Sequence, residues 1–160
     1  MAIRNSKELG SNLFIIAKRL LENQRLCQLL ANPEINPYQK SVDNPKGLLH
    51  KNILVVPRVD ARDFNNDSKI AIYYPSGNLD GDNYEFKNLN MNVSVYVPLD
   101  NWIINDDTLR PFAIMSEVEN SLKNKRVNGI GLLKYNSFEL DTLTDDMSGY
   151  TMNFSVDVYD

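Results

Sequence analysis

Cysteine and histidine occur once each in this chain, as Cys27 and His50. A lone cysteine allows no disulfide within the chain and no cysteine-rich zinc site. A lone histidine excludes most zinc enzymes, whose sites take two or three imidazoles. Phosphate loops, dinucleotide glycine fingerprints, serine elbows and metal-spaced clusters are missing from the sequence. Long apolar runs are missing too. Residues 13–17 are the longest near the start, against roughly seven to fifteen residues for a signal-peptide core and about twenty for a membrane span. The positive excess of a nucleic-acid-binding domain is also absent, because the net charge is −4 and the pI is near 5.0. What remains is 160 residues, 42% hydrophobic and 24% charged, a balance that excludes wholesale disorder and suffices for a core without staples. These traits predict a soluble, intracellular, mildly acidic protein. Asparagine is over-used, with 21 residues spread evenly, which reads first as a coding bias.

The hydrophobic pattern predicts one α+β domain over 1–160, with a helical segment at 1–31, an extended connector at 32–50, and a sheet plus helix at 51–160. Asn5 and Glu8 have capping-box spacing, and Leu9, Leu13, Ile16 and Leu20 then form an apolar stripe at helical period. Asn23 can cap a second short helix that Pro33 ends. The connector is punctuated by Pro33, Pro37 and Pro45, and a patternless segment of that length is often functional. Strands are predicted at 53–59, 69–74, 90–97, 132–140 and 150–159, with a polar hairpin tip at 76–83. A later helix at 109–126 carries Phe112, Met115, Val118 and Leu122 on one stripe, with Asp106 and Asp107 at its positive end and a stop at Asn128-Gly129. The element order is α-β-β-β-α-β-β: a mostly antiparallel sheet of about five strands, with a helix packed on one face.

Few residues advertise chemistry. His50 lies beside Lys51 with no neighbouring carboxylate to orient it, so it reads as structural rather than as a general base. Cys27 sits in a leucine run and reads as a core thiol. Asp80, Gly81, Asp82, Asn83 and Glu85 keep only fragments of a calcium loop and suit a wet hairpin tip better. Glu139, Asp141, Asp145 and Asp146 read as a solvated acidic patch, and Lys123, Lys125 and Arg126 as a basic helix end. No catalytic, cofactor or metal residue emerges, so the sequence predicts a protein that is not an enzyme.

Residues 23–30 (NQRLCQLL), residues 109–118 (LRPFAIMSEV) and the Gly129, Ile130, Gly131 lead into a strand, taken with the element order, carry a resemblance that covers nearly the whole chain. It resembles the tail-terminator and neck proteins of tailed bacteriophages, small α+β subunits that form rings between head and tail. The resemblance implies a structural virion protein at the head–tail interface, made in the host cytoplasm, that caps the tail tube and joins it to the neck. Its implied partners are further copies of itself in a hexameric or dodecameric ring, the tail tube and the neck or connector. DNA is implied only as cargo passing through the lumen, with no membrane contact. Asn36, Pro37 and Tyr38 in the connector and Asn78, Asp80, Asp82 and Tyr84 in the long loop are the candidate assembly contacts. The rival readings are a nucleic-acid-contacting or other non-enzymatic adaptor and, behind it, a small enzyme. The adaptor needs Lys123, Lys125 and Arg126 to share a face with Lys7, Lys18 or Arg19.

Overall fold

A computed structural model describes residues 3, 5–60, 62, 66–82, 85–127 and 129–157. The helical segment divides at Glu22 into α1 (Ser6–Leu21) and α2 (Gln24–Ala31). Asn5 caps the first, its side-chain oxygen accepting from the Glu8 amide at 3.0 Å. Asn23 caps the second, accepting from the Leu26 amide at 3.1 Å. Both caps satisfy amide donors that a helix start leaves orphaned. Gly10 is accommodated inside α1, with open space around it.

The strands are β1 (Ile53–Leu54), β2 (Lys69–Leu79), β3 (Phe86–Pro98), β4 (Ile103–Ile104), β5 (Thr108–Leu109), β6 (Arg126–Val127), β7 (Gly131–Thr142) and β8 (Met147–Asp157). Between β5 and β6 runs α3 (Arg110–Leu122). Six strands form one curled sheet in the order β1-β2-β3-β8-β7-β6, antiparallel except for β1 against β2. β4 and β5 make a separate two-stranded ribbon. The architecture is therefore mixed, with three helices and eight described strands where the pattern suggested about five strands.

β8 lies between β3 and β7, as its clean alternation requires. Met91 opposes Phe154 and Val93 opposes Met152, and this face packs under the helices with Ile16, Leu20, Leu29, Ile114, Val118 and Leu122 in one core. Gly149 opposes Tyr96, and a Cβ there would lie 1.6 Å from the Val95 carbonyl oxygen, so no side chain fits. The opposite face carries a smaller cluster of Val59, Ala71, Tyr96 and Met147 beside a polar field.

Five expectations need correction. The strand at 53–59 shrinks to Ile53–Leu54, and the chain beyond it crosses the sheet to bury Val59. The strand at 69–74 does not stop at Pro75. β2 lies at an edge there and absorbs the proline at a register shift between Tyr73 and Ser76, so the strand pair runs out to Leu79 and Phe86. Phe112 is 39% exposed and off the buried stripe of α3, where Ile114 takes its place. Asp106 and Asp107 do not flank the helix start. They belong to the β4–β5 turn, in which Asn105 and Asp106 have positive φ, and Leu109 caps α3 without a side-chain bond. α3 ends at Leu122, so Lys123 to Arg126 follow the helix instead of closing its last turn, and Arg126 is already in β6. The proposed stop at Asn128 and the strand end at 158–159 lie outside the described residues.

Candidate assembly surfaces

The connector is strapped to α2 by amide side chains. Gln28 donates to the carbonyls of Tyr38 and Lys40 at 3.2 Å, and Asn32 donates to those of Pro37 and Lys40 at 2.8 and 2.7 Å. Gln24 exchanges two bonds with the Val42 backbone, of 2.8 and 3.1 Å. Pro37 is buried within a 3-10 turn, and Tyr38 packs on the core with the Arg25 guanidinium 4.0 Å above its ring. Asn36 and its neighbour Ile35 face solvent. Of the three connector candidates, Asn36 alone is exposed.

The second candidate segment is an arm. β2 and β3 stay paired beyond Pro75, with residues 75–79 exposed and Leu79 showing 54% of its surface, while on β3 Leu89 stays buried and Phe86 is bridged by the buried Ile3. Asp80 orders the turn by accepting from the Asp82 amide at 2.9 Å and pairing with Lys87 at 2.5 Å. These bonds hold its carboxyl below the usual range. Asn78, Asp80 and Asp82 lie together on this arm, whereas Tyr84 lies outside the described residues. Among the described residues, no group of three acidic, cysteine or histidine side chains is placed to hold a metal.

The remaining polar candidates are dispersed. His50 adopts φ 68°, donates its amide to the Ile53 carbonyl at 2.9 Å and sets its ring edge-on to Phe14. Cys27 is buried with its thiol 3.5 Å from the Leu21 carbonyl, and burial pushes it up to about 11. The acidic patch splits. Asp141 accepts from the Tyr96 hydroxyl at 2.8 Å and the Thr151 hydroxyl at 3.0 Å, which makes it a structural acceptor and corrects its reading as a merely solvated charge. Asp146, with Asp100, Asn66 and Thr144, borders a separate cavity of about 480 Å³. Arg19 and Lys125 share a shallow depression of about 170 Å³ with Glu22, and Arg19 is committed to the Ser121 carbonyl at 3.0 Å.

One surface escaped the sequence reading. Phe112 on α3, Phe138 on β7 and Tyr150 on β8 form an aromatic ledge, with ring centroids 4.8–6.1 Å apart. Phe138 is 51% and the adjoining Leu140 64% exposed. The alternation of Phe138 and Leu140 was visible, but their place on an open sheet edge was not. Together the arm and the ledge offer contact surfaces.

A family model matches residues 23–156. The chain belongs to the YomW family. The match runs from the cap of α2 to Val156 in β8, and YomW is a Bacillus-phage-derived family name. Comparison with curated proteins gives no match. No described helix of this YomW-family chain is long and apolar enough to cross a membrane.

Proposed function

We propose that this YomW-family protein is a structural subunit of a phage particle, forming a ring at the head–tail junction that caps the tail tube and joins it to the neck. The β2–β3 arm carries this reading. Its β3 side is built into the sheet, but its β2 side runs on through residues 75–79 with exposed side chains, ending at a turn-locked tip with Leu79 open to solvent. Such an arm gains its missing burial by lying on a neighbouring subunit. Head-to-tail repetition of that contact closes a ring when the rotation fits an integer count. The phage-derived family name supports the same setting.

The test is assembly on tail tubes. Purified protein mixed with tubes of the cognate phage should decorate one tube end as rings, and tubes lacking it should remain open or grow overlong. Rings that ignore tube ends, or particles complete without the protein, would overturn the proposal. A nucleic-acid adaptor is the second reading, favoured by the meeting of Arg19 and Lys125. It requires DNA retention that falls steeply with salt.

A further inference from the structure

The sheet has two edges, and they are guarded differently. At one edge β1 covers Ile70 and Ala71, and Pro75 interrupts the rest of β2 with a register shift. At the other edge β6 pairs only with Gly131 and Leu132, and Leu133 bonds to the backbone of Asn124 and Lys125. From residue 134 to 142, β7 has no strand partner on its outer side among the described residues. It contains no proline or glycine over that length and carries the exposed Phe138 and Leu140. An open edge that carries exposed apolar side chains between polar ones is a template for strand pairing unless it is covered.

We infer that a second copy of this chain covers the β7 edge in solution, by antiparallel pairing of β7 with β7 about a two-fold axis at Phe138. The register supports self-pairing. Against β8, β7 steps from Tyr135 to Ser137, leaving Asn136 bulged out. Lys134, Ser137, Glu139 and Asp141 therefore share one face, and Leu133, Tyr135, Phe138 and Leu140 share the other. With Asn136 skipped in both copies, Phe138 meets Phe138, Glu139 opposes Ser137, Leu140 opposes Tyr135 and Asp141 opposes Lys134. Polar meets polar and apolar meets apolar at every step, and opposite charges face each other at both ends. Parallel in-register pairing would instead set Glu139 against Glu139. Within one copy Lys134 pairs with Asp157, and Asp141 accepts from Tyr96 and Thr151, so contact between copies at these two positions would add to bonds already made on the inner side.

This dimer is independent of the ring contact. It uses the edge opposite the arm, and a two-fold pair closes on itself. Light scattering of the purified full chain should give twice the 18.3 kDa of one chain. Because Cys27 is buried, Phe138→Cys adds one accessible thiol. Mild oxidation should then yield a covalent dimer, whereas Ile103→Cys on the separate ribbon should remain uncrosslinked. Leu140→Arg should give a single-chain mass with cooperative unfolding retained, which decides the matter should Phe138→Cys fail to fold. A single-chain mass for the unmodified protein would overturn the inference, as would a six- or twelve-fold mass with Phe138→Cys uncrosslinked. A dimer that never joins particles would sink the ring proposal and leave this one standing.

Discussion

Arg110 donates to the carbonyl of Leu29 across 2.8 Å in the protein interior. The same guanidinium reaches the carbonyls of Asn32, Glu34 and Asn101 at 2.7–2.8 Å. It thus serves acceptors at the end of α2, where helical carbonyls lack intrahelical partners, and ties them to the start of α3. Burial lowers its pKa, but an arginine remains charged at any ordinary pH.

Removing that guanidinium should be severe. Arg110→Ala leaves four buried or half-buried carbonyls without their donor and should cost about 3–5 kcal/mol. Arg110→Lys keeps the charge but not the planar fork and should recover less than half. Urea unfolding at constant slope measures both. Equal stability of Arg110→Lys and the natural chain would show that charge alone suffices.

The helix face is tested by adjacent residues. Leu122 is fully buried and Lys123 exposed. Leu122→Ala should cost about 2–5 kcal/mol, and Lys123→Ala should stay within about 0.5 kcal/mol. Similar losses at the two positions would contradict this orientation of α3.

β8 carries the sheet. Deleting residues 150–160 removes the strand between β3 and β7 and exposes both. Soluble folding should be abolished, with the product recovered only from inclusion material. A soluble, cooperatively unfolding truncation would refute the central placement.

The arm should separate assembly from stability. Replacing 78–84 with a short Gly-Ser linker removes the exposed Asn78, Leu79, Gly81 and Asp82 and the Asp80–Lys87 pair, a surface bond of little worth. The thermal midpoint should hold nearly constant while incorporation into particles falls. Unchanged incorporation would remove the arm from the ring contact.

Alkaline pH should unfold the protein by a specific route. Burial raises Cys27 from 9.0 to about 11 and Tyr74 from 10.0 to about 12. Both are acids with a raised folded-state value, so the native state keeps protons that the unfolded chain releases. Their contribution is complete below pH 9.0 and is lost as pH rises toward 12. Cys27→Ala should flatten the first part of that loss, by up to about 3 kcal/mol between its two values. An identical pH profile in the variant would exclude the thiol.

Signals complete within a few residues were decided by the sequence itself. Asn5 and Asn23 cap their helices because an amide oxygen and its target amide lie three residues apart. The alternation around Met91 and Val93, and around Met152 and Phe154, marks buried strands whatever their neighbours are. Tertiary structure decided the rest. Pro75 is tolerated only because β2 lies at an edge, Phe112 leaves the buried stripe to meet Phe138 and Tyr150, and Arg110 looks like a surface charge until α2 supplies its acceptors. The exposed connector and loop candidates were legible as long patternless segments, but which of them the fold straps down depended on Gln28 and Asn32. The β7 edge was equally hidden, since an edge exists only once strand order is set. Local chemistry specifies elements, whereas exposure and partnership belong to groups brought together from distant parts of the chain.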